Sequence, residues 1–219
     1  MTRSREPAEL DEALRAQLQA AGTATVHEAA GRIPLLDPAL RPLQQGVSLA
    51  AVAFTAECGI NDNLAVHRAV AAAPKGSVLV VDAGGDAGGY WGGILTEAAL
   101  ARGLAGLVMD GGVRDVASIR ALGFPVWSRH VAARGVEKTQ PGKIGESARC
   151  GGIAISTGMV IVADDDGVVA VDISRVEEVS AAASARTERE AALIGRLRGG
   201  ELTLDLLDLR RHIVDDGDR

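Results

Sequence analysis

Aromatic residues are scarce in this sequence. Phe, Trp and Tyr together make up 2% of the 219 residues, whereas apolar residues as a class make up 47%. Proteins that bind single-stranded nucleic acid stack the bases on aromatic side chains, and nucleic-acid binders in general present a basic face to the phosphates. The formal net charge is −6, so both features are lacking and we expect no nucleic-acid partner. The core must be built from Val, Ile, Leu and Ala.

Cysteine is also rare. Cys58 and Cys150 are the two cysteines and form no CxxC motif, which argues against a structural zinc site or a disulfide framework. We expect two buried thiols in a reducing cytosol. No apolar run approaches the roughly 20 residues of a membrane-spanning helix, and the charged residues 1–18 contain no apolar core of a signal peptide. The sequence therefore predicts a cytoplasmic protein with no membrane partner.

The first half of the chain has the pattern of parallel βαβ units. Apolar spacing, capping residues and β-branched runs predict the following elements: a helix Glu9–Ala20 that ends near Gly22, a short helix capped by Thr25, a strand Val47–Thr55, a helix 63–73 capped by Asp62 and stopped by Pro74, a strand Ser77–Ala83, a glycine-rich loop 84–93, a helix 94–103 and a strand 104–110. A strand, a loop, a helix and a strand in this order form a crossover.

The second half changes character after a further helix and strand. The patterns predict a helix Asp115–Leu122 closed by Gly123, a strand 124–128, three short strands in 151–172, a charged helix from Ser174 to about Leu197 and a second helix in 201–214. The acids of the DDDG segment 164–167 are adjacent rather than alternating, which favours a hairpin turn over a calcium loop. We expect an α/β fold with a parallel βαβ section and C-terminal helices, in a single domain 1–219.

The glycine-rich segment GGDAGGYWGG, residues 84–93, follows a strand and precedes a helix. It contains neither GxGxxG nor the GK[ST] of a phosphate-binding loop, so it does not predict a nucleotide site. The backbone N–H groups of Gly92, Gly93, Ile94 and Leu95 would form an anion site at the start of the helix. Alternatively, the glycines allow close packing of strand and helix. The loop alone favours neither interpretation.

Isolated acids and histidines in the sequence carry little signal. His27 and Glu28 begin like the zinc motif HExxH, but the fifth position is Gly31, which excludes that motif. Glu28 by itself is typical of a solvated helix residue. His67 and His130 are lone histidines, which are more typical of packing or surface positions than of ligands.

The segment DGGVRD, residues 110–115, contains the stronger candidate. Arg114 and Asp115 follow a probable parallel strand, at whose carboxyl end ligands collect in α/β folds. Arg offers a planar fork to a carboxylate, and Asp offers a hard oxygen to Mg²⁺ or Mn²⁺. Alternatively, Asp115 caps the next helix while Arg114 faces solvent. Position alone leaves both interpretations open.

Five segments together carry a resemblance to a known family. They are ATVHEAAGR (24–32), DNLAVH (62–67), YWGGILTEAALARGLAGLVMDGGVRD (90–115), FPVWS (124–128) and VIVADDDGVVAV (160–171). In this order they resemble the metal-dependent pyruvate aldolases that cleave 4-hydroxy-4-methyl-2-oxoglutarate and 4-carboxy-4-hydroxy-2-oxoadipate. The same superfamily includes the regulator of ribonuclease activity A. The resemblance extends from about Thr23 to the C-terminal helix.

The resemblance implies a fold, an assembly and a set of site residues. The fold would be a three-layer β/β/α fold of the swivelling phosphohistidine-domain type, in homotrimers or hexamers with active sites between subunits. Asp115 would bind the divalent metal, Mg²⁺ or Mn²⁺, and Arg114 would hold the 2-oxo acid substrate. The N–H groups of the segment from Gly92 to Leu95 would hold its carboxylate, and Glu28 and Glu190 would reach in from a neighbouring subunit.

The sequence departs from the family pattern at Gly93. The aldolases of the family carry an acid there, which is thought to act through a metal-bound water as the proton shuttle. Asp86 lies seven residues earlier and is one candidate substitute. We expect a metal-dependent carbon–carbon lyase, with decarboxylation of oxaloacetate less affected by Gly93 than aldol cleavage. The alternative is a non-catalytic regulator that binds a ribonuclease or another protein.

Overall fold

A computed structural model describes residues 10–32 and 35–213 of the chain. The helices are α1 Glu12–Ala29, α2 Leu64–Ala72, α3 Gly93–Ala101, α4 Val116–Leu122, α5 Val176–Arg198 and α6 Thr203–Leu206. The strands are β1 Arg41–Pro42, β2 Leu49–Glu57, β3 Val78–Asp82, β4 Gly89–Trp91, β5 Gly106–Val113, β6 Val126–Val131, β7 Lys143–Ile144, β8 Ser147–Cys150, β9 Ile153–Ser156, β10 Val160–Ala163 and β11 Val168–Val171.

One large sheet organises the molecule. Its strand order is β1-β6-β5-β3-β2-β10-β11, with β4 paired to β5 and β7 paired to β2. Strands β2, β3, β5 and β6 are parallel neighbours, and the connections through α2 and α3 confirm the predicted crossovers. Strands β10 and β11 extend the sheet as an antiparallel hairpin. Strands β8 and β9 form a separate two-stranded sheet.

Other elements of the fold cover both faces of the sheet and bury its apolar side chains. Helices α2, α3 and α4 cover one face of the parallel strands, and the β8–β9 sheet packs on the opposite face. Helices α1 and α5 cover the outer face of β2, β10 and β11. This is a mixed α/β fold with a curled sheet, so the predicted fold class is confirmed at that level. The likeness to the swivelling phosphohistidine domain stays a prediction.

Helix α1 contains the predicted break near Gly22. Gly22 has φ 76° and ψ 163°, outside the helical region. The new helical segment begins at Thr23, not at Thr25, because the N–H and hydroxyl of Thr23 donate to the carboxylate of Asp164 at 2.8 and 2.5 Å. The capping carboxylate belongs to the turn between β10 and β11, so the sequence around Thr23 gives no sign of it. Glu9, the predicted first residue of α1, lies outside the described residues.

Several predicted boundaries are wrong, and the predicted loop 84–93 contains strand β4. Strand β2 runs from Leu49 to Glu57, two residues later than predicted, because its neighbours β3 and β10 fix its ends. Strand β5 continues through DGGV, so Gly111 and Gly112 lie in a strand, not in a loop. The second C-terminal helix is only the turn α6, since Asp208 adopts φ 53° and stops it; Val214, its predicted end, lies outside the described residues.

Helices long and apolar enough to cross a bilayer are absent from residues 10–32 and 35–213.

Candidate functional site

The carboxyl end of β5 places Arg114 and Asp115 beside the first turn of α3. Strand β5 is buried over its whole length to Val113, and the next residue is anchored by its backbone N–H, which donates to the carbonyl of Trp91 at 2.9 Å. The two side chains therefore lie at the carboxyl end of the parallel strands, between α3 and α4. This is where the sequence placed them.

Asp115 stands immediately before α4 but does not cap that helix through its side chain. Its backbone is left-handed, with φ 58° and ψ 35°, and its Oδ2 accepts a hydrogen bond from the N–H of Gly93 at 3.0 Å. The capping alternative is therefore wrong, because the carboxylate faces α3. A left-handed non-glycine residue costs about 1–3 kcal/mol, and such residues cluster at ligand sites.

Arg114 lies next to this carboxylate. Its Nε is 4.0 Å from Asp115 Oδ2, and 45% of its side chain is exposed. The distance is at the limit of an ion pair, so the guanidinium retains donors for a ligand. Since Arg114 also lines the cavity described below, the alternative in which it faces only solvent is wrong.

Gly92 and Gly93 have different steric roles. A Cβ on Gly92 would lie 2.5 Å from Asp115 Oδ2 and 3.2 Å from Arg114 Cγ, whereas a Cβ on Gly93 would be 3.7 Å from its nearest neighbours. Gly92 is therefore required for the close approach of Asp115 to α3. The interpretation that the glycines allow close packing therefore holds for Gly92. The interpretation that the N–H groups form an anion site holds only in part, because the Gly93 N–H already donates to the carboxylate of Asp115.

A cavity of about 130 Å³ opens at this point. Pockets for drug-sized ligands have volumes of about 300–1,000 Å³, so this one suits a ligand smaller than a drug molecule. Of the predicted site residues, those that line it are Gly92, Ile94, Leu95, Arg114 and Asp115. The other residues that line it are Asn63, His67, Gly89, Tyr90, Trp91, Val136 and Lys138.

Trp91 forms a rigid wall of the cavity and is held in place by an aromatic stack. The ring of Trp91 stacks on Phe124 with centroids 5.9 Å apart and an interplanar angle of 9°. The indole N–H donates to the hydroxyl of Thr96 at 2.8 Å, and that hydroxyl donates to the Gly92 carbonyl at 3.1 Å. The wall is therefore fixed to the first turn of α3 before any ligand binds.

Glu28 and Glu190 do not line the cavity within one chain. Glu28 lies on α1 and its carboxylate is 3.6 Å from Arg32 Nε, while Glu190 lies on α5 and pairs with Arg186 at 2.8 Å. Both are partly exposed surface residues of their helices. Their entry into the site of a neighbouring subunit stays a prediction.

Asp86 is not available as a substitute for the family acid. Both of its carboxylate oxygens lie 2.7 Å from the Arg134 guanidinium, and Oδ2 also accepts from the hydroxyl of Tyr90 at 3.0 Å. Burial opposes ionisation, but the bonds from Tyr90 and Arg134 outweigh it and lower the pKa of Asp86. Asp86 does not line the cavity, and its role is to fasten the glycine-rich loop.

Three polar residues of the cavity were missed by the sequence analysis. Asn63 and His67 lie one helical turn apart at the start of α2, and Lys138 lies in the segment after β6. Burial lowers the pKa of His67, and the positive charge of Lys138 lowers it further. The spacing of four between Asn63 and His67, and their place in the segment DNLAVH that carries the family resemblance, were the available signals. Nothing local in the sequence points to Lys138.

The residues present fit a hydrated hard cation better than a cage of protein ligands. Within the described part of the chain there is no group of three or more His, Cys, Asp or Glu side chains that could hold a metal ion. Mg²⁺ commonly binds one or two carboxylates and keeps several waters. The half-exposed carboxylate of Asp115 is suited to that mode. A structural zinc site would need four protein ligands, and the cavity does not supply them.

Comparison with known proteins identifies relatives over most of the chain. The model of the RraA-like family, described as Aldolase/RraA, matches residues 23–170. A protein of Halalkalibacterium halodurans named "Putative 4-hydroxy-4-methyl-2-oxoglutarate aldolase" is 33% identical over 164 residues, which cover 74% of this chain and 78% of its own. A protein of the same name from Burkholderia multivorans is 36% identical over 142 residues, covering 64% and 86%.

A solved structure shows the same fold. The crystal structure of Streptomyces coelicolor RraAS2, described as an unusual member of the RNase ES inhibitor RraA protein family, matches with a TM-score of 0.75 and 27% identity. The match covers 86% of this chain and 98% of that one.

Proposed function

The chain belongs to the RraA-like family, Aldolase/RraA, and from this premise we propose that it is a carbon–carbon lyase that acts on small 2-oxo acids with a divalent metal, Mg²⁺ or Mn²⁺. One observation carries the proposal: Arg114 and Asp115 line a single cavity of about 130 Å³ beside the first turn of α3. Relatives named as aldolases support the reaction class.

The cavity offers two kinds of donor to a 2-oxo acid. The guanidinium of Arg114 has the fork geometry that pairs with a carboxylate or a ketone oxygen. The N–H groups of Ile94 and Leu95 lie in the first turn of α3, where helix geometry provides no partner for them, and both residues line the cavity. The substrate carboxylate would bind these amides, because the start of a helix favours an anion.

Asp115 would hold the metal. A divalent cation held there would supply Lewis-acid chemistry to the 2-oxo acid. Arg114 adds a fixed positive charge, so the negative charge that develops on the ketone oxygen is stabilised as the C3–C4 bond breaks. In a 4-hydroxy-2-oxo acid this cleavage releases pyruvate and a second carbonyl compound. In oxaloacetate the same bond breaks to release CO₂. The buried side chains of Trp91 and Leu95 line the cavity and would give the developing enolate an apolar wall.

Release of pyruvate from oxaloacetate tests the proposal directly. We expect turnover with Mg²⁺ or Mn²⁺ above the rate of the metal alone, and loss of turnover with EDTA. Arg114→Ala and Asp115→Asn should each lower the rate by about 10²–10³, the usual cost of removing one preorganised electrostatic group. The matched controls Arg198→Ala and Asp166→Asn change exposed residues outside the cavity and should retain the rate. A wild-type rate no higher than that of the free metal would contradict the proposal.

We further propose that the active form is a homotrimer or hexamer with sites between subunits. Two apolar residues near the site support this. Ile94 lines the cavity with 84% of its surface exposed, and Ile60, in the segment before α2, is 91% exposed. Exposed apolar patches with a polar rim are typical of protein interfaces, and these two side chains would contribute to such a patch. In such an assembly Glu28 and Glu190 of a neighbouring subunit would complete the site.

A second candidate is a regulator that binds a ribonuclease. The likeness to Streptomyces coelicolor RraAS2, described by its inhibitor family, and the glycine at position 93 favour it. Binding of an endonuclease at micromolar concentration, together with absence of lyase turnover, would support this candidate. Asp115 on the cavity and its hydrogen bond to α3 favour the lyase, since a purely regulatory surface has no need of them.

A further inference from the structure

Two polar atoms without partners lie among the residues of the cavity. Asn63 Oδ1 and His67 Nε2 belong to residues that line the cavity, and both are buried without a hydrogen-bond partner in the described part of the chain. Buried polar groups are nearly always paired. Two buried polar atoms without partners beside a cavity therefore mark a place where a bound molecule supplies the partner.

The orientation of Asn63 is fixed by its other atom. Its Nδ2 donates to the carbonyl of Tyr90 at 2.7 Å, so Oδ1 is the atom left without a partner. Oδ1 is an acceptor, and the Nε2 of a neutral imidazole is an acceptor when Nδ1 carries the proton. In that tautomer, two acceptors of the same cavity lack partners, and a donor group would satisfy them. A hydroxyl group is such a donor, whereas a second carboxylate is not.

Aldol cleavage requires a base, and decarboxylation does not. Cleavage of a 4-hydroxy-2-oxo acid begins with removal of the proton on the C4 hydroxyl. Gly93 has no carboxylate that could assist this step. The charged or titratable groups that line the cavity are His67, Lys138, Arg114, Asp115 and Tyr90. Lys138 and Arg114 are cations, and Asp115 is bonded to the Gly93 N–H. Burial and hydrogen bonding to Asp86 raise the pKa of Tyr90 to about 12, so its hydroxyl stays protonated.

We propose that His67 is the general base for aldol cleavage in this chain. The inference rests on the proposed lyase function. His67 Nε2 takes the proton from the C4 hydroxyl, and the O–H bonding pair becomes the new C4=O bond. The C3–C4 bond breaks, its electron pair becomes the C2=C3 double bond, and the π pair of the C2 carbonyl moves to the ketone oxygen to form the enolate of pyruvate. The imidazolium then returns the proton to C3. The products are pyruvate and the carbonyl compound, with no net proton change.

The electrostatic surroundings of His67 support this role. Lys138 faces it from the segment after β6, Arg114 and Asp115 line the same cavity from the end of β5, and Arg68 is its neighbour on α2. The burial of His67 and the charge of Lys138 lower its pKa, which keeps the imidazole neutral near pH 7. A neutral imidazole has the lone pair that a base needs.

The experiment compares two substrates on the metal-loaded enzyme. His67→Gln keeps a polar side chain but cannot take up a proton. We expect kcat for cleavage of 4-hydroxy-4-methyl-2-oxoglutarate to fall by about 10²–10⁴, the usual contribution of a general base, while kcat for oxaloacetate decarboxylation changes less than about threefold. His212→Gln, at an exposed histidine, is the matched control and should leave both rates unchanged. Circular dichroism checks that the variants fold.

The pH profile supplies a second measurement. Wild-type cleavage should rise with pH through an apparent pKa below the ordinary histidine value of about 6.5, and the rise should be absent in His67→Gln. Equal loss of both activities would assign His67 a structural role and overturn the inference, as would retention of cleavage. Wild-type decarboxylation without cleavage would also overturn it and leave the lyase proposal standing. Absence of metal-dependent decarboxylation would contradict the lyase proposal itself.

Discussion

At the scale of the residue, the site depends on how closely a carboxylate approaches a helix. Asp115 adopts a left-handed backbone and reaches the N–H of Gly93, and this approach is possible only because Gly92 has no side chain. Two adjacent glycines therefore have separate roles. Gly92 makes room for the metal-binding candidate, and Gly93 offers its amide.

Alanine substitution of each glycine separates these roles. Gly92→Ala should lower the free energy of unfolding by about 1–3 kcal/mol, the usual cost of an inserted methyl in a packed site, and should abolish pyruvate release because Asp115 is displaced. Gly93→Ala is the matched control. Its Cβ meets nothing closer than 3.7 Å, so we expect stability equal to or above wild type. Urea unfolding measures stability, and equal effects of both changes would contradict the steric argument.

A Cβ at position 93 makes only ordinary van der Waals contacts, so the acid that the family pattern carries there can be tested by substitution. Gly93→Asp should raise aldol cleavage relative to oxaloacetate decarboxylation, because the new carboxylate supplies a base while Arg114 and Asp115 are unchanged. We expect at least about a tenfold rise in the ratio of the two kcat values, a lower range for general base catalysis. Gly93→Asn has the same shape without the charge and should leave the ratio unchanged. A similar rise for both variants would contradict this explanation.

At the scale of the element, the segment after β6 is tied to the start of α2. The carboxylate of Asp62 accepts from the backbone N–H and hydroxyl of Thr139 and from the backbone N–H groups of Gln140 and Leu64. Lys138, which lines the cavity, immediately precedes the residues that Asp62 binds in the segment after β6. Asp62 was predicted as a cap for α2, and its larger role is to connect two segments far apart in sequence.

This connection predicts a specific loss of stability in acid. Burial opposes the ionisation of Asp62, but the hydrogen bonds from Thr139, Leu64 and Gln140 outweigh it and lower its pKa to about 2. The folded pKa lies below the unfolded value of about 3.9, so the stabilisation is complete above that value and is lost as pH falls toward 2. Urea unfolding between pH 5 and pH 2, both approximate limits, should show a steeper decline for wild type than for Asp62→Asn. Parallel declines would contradict this assignment.

The sequence predicted elements better than it predicted their ends. The parallel core strands and the break in α1 were recoverable, because apolar runs and glycine act locally. The start of the helical segment at Thr23 was not, since its cap, Asp164, is 141 residues away. Likewise, Arg114 and Asp115 were found from their place after a strand. Lys138 was missed because only the folded chain brings it to the cavity.

At the scale of the whole molecule, the exposed apolar residues near the cavity predict association. Ile94→Asp should convert the proposed trimer or hexamer into monomers, because a charge in an apolar interface is costly to desolvate. Sedimentation velocity or native mass spectrometry measures the state. Leu202→Asp changes an exposed leucine outside the cavity and should leave the assembly unchanged. A monomeric wild type, or an unaltered Ile94→Asp assembly, would contradict the prediction.

The stacked wall of the cavity gives the molecule a built-in optical reporter. The sequence contains two tryptophans: Trp91 lines the cavity, and Trp127 packs into the core on the opposite face of the sheet. Replacement of Trp127 by Phe leaves a single indole emitter next to Arg114. Quenching or a wavelength shift of its fluorescence would then follow each small anion or metal ion as it enters, without a coupled assay and without turnover.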